Sequence, residues 1–172
     1  MSAPPRSPYP PDLADDAEPA LELGDLADVV AADQNWANQR AHRLSALRTE
    51  LRGCRLTGTD LAEATLRDIT FDECRIDLVG LRHARLERVV FRDCRMAECD
   101  FYGATLSDVL FERCELREAT FSAATITSVE LRGCDLAGLR GAEALRGARM
   151  PWNDVLGSAA LFATALGIEI VD

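Results

Sequence analysis

Six cysteines and two histidines are the side chains in this 172-residue sequence best suited to metal, redox or nucleophilic chemistry. Cys54, Cys74, Cys94, Cys114 and Cys134 recur every 20 residues, and Cys99 follows Cys94 by five. Thiolates in such number could hold zinc or form a redox pair. Zinc sites, however, draw on tight spacings such as Cys-x-x-Cys, and no such pair occurs. His42 and His83 belong to no Ser-His-Asp or Cys-His pattern of the kind that nucleophilic catalysis needs. Gly138, Gly141 and Gly147 match no phosphate-binding loop. The sequence therefore reads as a non-enzyme, with no catalytic residue, no metal site and no cofactor.

What the cysteines share is a position in a repeat. From Leu51 to Leu136 every fifth residue is large and apolar, through Leu56, Leu61, Leu66, Phe71 and Ile76 onward without exception. Two residues before each stands a small or β-branched residue, and all six cysteines fall in that set. A buried thiol packs as a small apolar group, so packing accounts for them. A period of five fits neither a helix, at about 3.6, nor a strand, at about 2. It fits a coil with four flat sides, one pentapeptide to a side, and so a second period of 20. That period is present. Ala64, Ala84, Ala104 and Ala124 form one ladder, and Phe71, Phe91 and Phe111 stand between Leu51 and Leu131 in another. Like stacks on like because successive coils lie about 4.8 Å apart.

These residues resemble the pentapeptide-repeat family, whose consensus is written A(D/N)LXX, with Cys and Val often replacing Ala and Phe common at the centre. The resemblance implies an all-β solenoid: a right-handed four-sided β-helix of about 4.5 coils over residues 49–140, with helical caps at both ends. It also implies a non-catalytic interaction protein that presents a rigid rod to a protein partner. Family members that protect DNA gyrase from quinolones imitate duplex DNA, so gyrase is one candidate partner. Members also dimerise through the C-terminal helix.

The flanks read differently. Residues 1–20 hold six of the seven prolines and form an extended or disordered tail. Residues 21–48 show apolar positions at three- and four-residue steps, from Leu26 to Leu47, which favours an amphipathic helix. Trp36, Ala41 and Ala46 nevertheless fall five apart, in frame with the repeat, which allows an irregular first coil instead. After Leu136 the frame slips. A capping region over 141–172 follows, with a helix at about 154–166 opened by Asn153 or Asp154, stopped at Gly167, and a short strand in Ile168–Val171.

Charge and surface residues complete the reading. The formal net charge is -10, and every basic residue is Arg. That balance opposes direct nucleic-acid binding, which needs a basic surface. Within the repeats no side of the coil is strongly acidic; opposite signs alternate instead, as in Arg52, Asp72, Arg92, Glu112 and Arg132. Leu78, Val90, Tyr102 and Leu110 occupy outward positions and are candidate interface residues. A covering N-terminal segment carrying Trp36 is the other account of Val90 and Leu110. Leu156 and Phe162 on the C-terminal helix are candidates for a homodimer contact. The absence of an apolar leader or membrane-length run leads us to expect a cytoplasmic protein with reduced cysteines.

Overall fold

The computed structural model describes residues 3–12 and 26–171. Six parallel strands lie in one sheet in chain order: β1 (Leu26–Ala32), β2 (Ser45–Arg52), β3 (Thr65–Asp72), β4 (Arg85–Arg92), β5 (Thr105–Glu112) and β6 (Thr125–Arg132). Each residue pairs with the one 20 positions on: Leu51 with Phe71, Phe71 with Phe91, and Phe91 with Phe111. Elsewhere around the coil single rungs keep the same offset, as Arg55 with Arg75 and Asp60 with Gly80. The chain thus climbs as a solenoid of about five turns. The five steps from β1 to β6 span about 24 Å at strand spacing.

The corners explain the period of five. The residue two after each central one takes the left-handed backbone conformation, with φ 58° at Asp68, 52° at Glu73, 61° at Leu78 and 56° at His83. Such a conformation costs a non-glycine residue about 1–3 kcal/mol unless its surroundings enforce it. Here the enforcement comes from the rungs on either side. Leu56 donates its N–H to the Arg75 carbonyl at 2.8 Å, and Arg75 donates to Cys54 at 2.9 Å.

Inside, the large central residues form columns. The rings of Phe71, Phe91 and Phe111 stack at centroid distances of 4.8 and 5.1 Å, nearly parallel. Phe101 stacks on Phe121 at 4.6 Å, and the two columns meet edge-on where Phe101 faces Phe111 at 6.0 Å. The small position beside each column has its own bond. Thr49 Oγ1 donates to the Leu26 carbonyl at 3.2 Å, and Thr59 Oγ1 to that of Trp36 at 2.6 Å. The cysteines repeat this geometry: Cys74 Sγ reaches the Leu51 carbonyl at 3.3 Å and Cys94 Sγ that of Phe71 at 3.5 Å.

The N-terminal helix expected over residues 21–48 is not what residues 26–48 form; residues 21–25 lie outside the described residues. β1 adds a further parallel strand, pairing Leu26 with Ala46 and Ala31 with Leu51. Trp36, Ala41 and Ala46 are buried as the central residues of this first coil. The five-residue frame prevails because β2 offers an open row of backbone partners and an open core end. A strand satisfies both, and a helix would leave the backbone row unpaired. Trp36 therefore fills the core and does not cover Val90 on the outside.

At the other end, a 3-10 turn at Ala142–Leu145 closes the last coil, with Ala142 and Leu145 buried. The chain crosses there so closely that a Cβ on Gly141 would collide with the backbone of Phe121 and Ser122. Two short helices follow, α1 (Trp152–Gly157) and α2 (Ala159–Ala165), in place of the single helix expected at 154–166. α1 starts at Pro151 without a side-chain cap. Asp154 is used elsewhere: it accepts the Gly133 N–H at 2.6 Å and ties the helix to the last coil. Gly167, with φ 72°, ends α2, and Ile168 donates back to Ala163 at 2.8 Å. Ile168–Val171 has no strand partner and runs on in irregular form.

Candidate interaction surfaces

The six residues singled out as interface candidates do not meet in one patch. Leu78 projects from a corner and is exposed. Tyr102 lies on the next side of the coil, half-exposed, edge-on to His83 at 5.7 Å and beneath the Arg82 guanidinium at 5.6 Å. Val90 and Leu110 are neighbours in register, as expected, but Val90 is only 8% exposed and Leu110 is half-buried. Leu156 is exposed on α1, whereas Phe162 on α2 turns partly into the core.

The corner ladder two residues before Val90 and Leu110 is covered. Residues 3–12 run along the rod over one ladder of corners, formed by Asp28, Arg48, Asp68, Arg88 and Asp108. The Arg6 N–H donates to Asp108 at 3.3 Å, Tyr9 to Asp68 at 3.1 Å and Asp12 to Asp28 at 2.9 Å. The Arg88 guanidinium lies 5.5 Å over the Tyr9 ring. Pro5, Pro8 and Pro11 are the half-buried residues of the segment, three apart, while the rest are exposed. The corner residues respond in kind. Asp68 is 4% exposed, and Arg48, Arg88 and Asp108 are half-buried. On two other ladders Glu63 and His83, and Glu73 and Asp93, remain exposed.

Two carboxylates of this ladder, Asp28 and Asp68, are held charged. Arg48 grips Asp28 with Nε and Nη2, each at 2.5 Å, and with the Asp12 N–H lowers its pKa to about 2. Burial pushes Asp68 upward, yet the Arg88 fork at 2.6 and 3.0 Å and the Tyr9 N–H outweigh it and keep its pKa below the ordinary value. The same alternation recurs on exposed corners, as in Arg113 on Asp93 at 2.7 Å and Arg43 on Glu63 at 2.9 Å.

The second surface is apolar. Beyond the last coil, Trp152, Leu156, Leu166, Ile168, Ile170 and Val171 are all more than half exposed. All six belong to the C-terminal cap of a rod whose flanks are largely charged. Singly exposed apolar residues are ordinary, but a run of six large ones at one end of a rod marks a surface that gains from being covered. Nearby, a groove of about 580 Å³ opens between the last coil and the helices, lined by Asp135, Asn153, Ser158, Leu161 and Thr164 among others.

The cysteines belong to the inner wall of the coil, and Cys134 also lines the groove beside the helices. Five are buried and Cys134 is half-buried. Burial pushes the Cys99 thiol up to about 12. Cys94 is likewise raised, by its neighbours Cys114 and Cys74 and by burial. Cys94 and Cys99 are thus held as protonated packing groups. Among the described residues no group of three or more Cys, His, Asp or Glu is arranged to hold a metal, and no helix is long and apolar enough to cross a membrane.

Sequence reasoning missed the corner ladder and most of the apolar end. Signals for both were present: prolines at 5, 8 and 11, charges alternating at 28, 48, 68, 88 and 108, and an apolar tail after Gly167.

Comparison with a known family agrees with this architecture. The model of the "Pentapeptide repeat region" matches residues 44–121 and 81–141. Among solved structures, a trypsin-treated variant of QnrB1, a plasmid-mediated fluoroquinolone resistance protein, aligns at 20% identity. The alignment covers 83% of this chain and 92% of that one, with a TM-score of 0.43. A pentapeptide repeat protein of the Arabidopsis thaliana thylakoid lumen aligns at 14% identity over 85% of this chain and 83% of its own, with a TM-score of 0.31. HetL, involved in heterocyst differentiation regulation in Nostoc sp. strain PCC 7120, aligns at 14% identity over 72% and 90%, with a TM-score of 0.25. Among curated proteins no sequence matches.

Proposed function

The chain belongs to the pentapeptide repeat family, and from that premise we propose that it is a non-catalytic interaction protein whose rod ends in a protein-binding surface. The observation that carries this reading is the uncovered apolar end formed by Trp152, Leu156, Leu166, Ile168, Ile170 and Val171. Large exposed apolar side chains in the cap of a rod with charged flanks support a contact there. Trp and the large aliphatic residues are also side chains that anchor the buried centre of interfaces. The partner it fits first is a second copy, joined end to end across a two-fold axis, because a self-complementary apolar patch closes in that way. Light scattering on the eluting full chain tests this. A dimer at micromolar concentration that becomes a monomer with Leu156→Asp is the expected result. A monomer at every concentration would remove the self-association, and a Leu156→Asp dimer would move it elsewhere.

A second reading takes the rod as a DNA mimic that binds gyrase and confers tolerance to topoisomerase poisons. A rod about 24 Å long in a chain of formal net charge -10 supports it. The Arg–carboxylate pairing along the corners weakens it, since paired charges present no continuous acidic stripe. Gyrase supercoiling, with and without a quinolone, separates the readings. Protection or inhibition at micromolar protein favours the mimic, and neither effect excludes it.

A further inference from the structure

The corner ladder and the N-terminal segment share a period that neither needs for its own sake. In a polyproline II helix three residues advance about 9.3 Å and return to the same face. Two coils of the rod advance about 9.6 Å, and the ladder alternates Asp and Arg, so its aspartates recur every second coil at 28, 68 and 108. The segment meets them with N–H groups three residues apart, at Arg6, Tyr9 and Asp12. Prolines lack this donor, and they fall at 4, 5, 8, 10 and 11, never at the donating positions. Pro5, Pro8 and Pro11 turn toward the rod, again three apart. The arginine between each pair of aspartates also has a place: Arg88 holds Asp68 and covers the Tyr9 ring.

We propose that this corner face is a docking surface for polyproline II segments, read through a backbone N–H at every third residue, and that residues 3–12 are its resident ligand. The recognition is of backbone and proline, with one aromatic ring, so it is not tied to the chain that carries it. A partner with a proline-rich segment of the same spacing competes for the face, and the tethered segment sets the threshold it must exceed. Residues 3–12 thus act as a built-in competitor lying across the side of the rod where charged corner residues are half-buried. This inference is independent of the apolar C-terminal end.

Two substitutions in the full-length chain read the period directly. Tyr9→Pro favours the polyproline conformation and deletes one donor, together with the ring that Arg88 covers. Ser7→Pro keeps the conformation and deletes none of the three. Amide exchange followed by NMR is expected to show Arg6, Tyr9 and Asp12 protected about tenfold or more beyond Ser7, as a hydrogen bond to a charged group implies. Tyr9→Pro should release Arg6 and Asp12, and Ser7→Pro should leave them protected. A fluorescent decapeptide with the sequence of residues 3–12 should bind the Tyr9→Pro chain about tenfold tighter than the unaltered chain. Adding Asp68→Asn should abolish that gain. Asp108→Asn, at a carboxylate less buried than that of Asp68, should weaken it as well and keeps the test open if Asp68→Asn loosens the coil. Equal protection of Ser7 and Tyr9 would overturn the proposal. So would protection that rises with protein concentration, which would assign the segment to a second copy. Failure of the peptide to bind the Tyr9→Pro chain would overturn docking in trans.

Discussion

Replacing Phe91 by Ala tests the stacked core at its middle. Phe91 is 1% exposed, and its ring lies between Phe71 at 4.8 Å and Phe111 at 5.1 Å, tilted by 9° and 5°. Removing a buried phenylalanine costs about 3–5 kcal/mol through lost transfer energy and the cavity left behind. Each stacked pair adds about 0.5–1.5 kcal/mol beyond burial. Phe91 loses two such pairs, whereas Phe71 loses one, because its other neighbour in register is Leu51. Phe91→Ala should therefore fall at the top of the range, near 5 kcal/mol, and Phe71→Ala about 1 kcal/mol below it. The rod cannot close such a gap easily, since each coil is pinned to the next by backbone rungs. Urea unfolding of both variants, followed by far-UV circular dichroism, gives the two values. A Phe91→Ala cost under about 1 kcal/mol would refute inward stacking. Equal costs at 71 and 91 would refute the contribution of the ring pairs.

Three other predictions follow from the same geometry. Arg92, whose side chain is 41% exposed and sits 3.1 Å from Glu112, should cost under about 1 kcal/mol when changed to Ala in the same urea assay; a larger loss would mean a buried ladder. Titration of the native protein with an aromatic disulfide reagent should find Cys134 at most, and all six thiols only after denaturation, because the other five are buried; a fast-reacting native cysteine among those five would contradict the packing. Asp28 has its pKa lowered from 3.8 to about 2 by Arg48 and the Asp12 N–H, so the stability it adds is complete above about pH 4 and lost as pH falls through about 2. Thermal melts from pH 5 to pH 2 should show Asp28→Asn with a shallower acid limb than the unaltered chain, and parallel limbs would rule out the Arg48–Asp28 pair as a source.

Much of this fold could be read from the chain because its two periods are physically linked. Phe71, Phe91 and Phe111 are alike and 20 apart, and only a coil of four pentapeptides makes them neighbours. The first coil was harder to read. Leu26, Val29, Val30 and Trp36 suit a helix face, while Trp36, Ala41 and Ala46 suit the repeat, and local spacing alone does not choose. The choice is made by the open edge of β2, a feature of the assembled rod. The C-terminal helix broke in two after Gly157, where Ser158 adopts φ −107° and ψ 13° while Asp154 is drawn to Gly133. The N-terminal segment was the least legible. Its proline spacing gains meaning only beside a ladder of matching pitch, which exists only once the chain is coiled. The apolar end illustrates the reverse limit. Leu156 is legible as a candidate homodimer contact, but Trp152, Ile168 and Ile170 read as parts of a cap, and the folded cap leaves them uncovered.

The most direct measurement on the interaction reading is hydrogen exchange by mass spectrometry on the full chain at two concentrations, one about a hundredfold above the other. If the apolar end is the contact, peptides covering residues 152–171 gain protection at the higher concentration, while those of β2 to β5 and of residues 3–12 stay unchanged. Exchange over 152–171 that is fast and identical at both concentrations would contradict it.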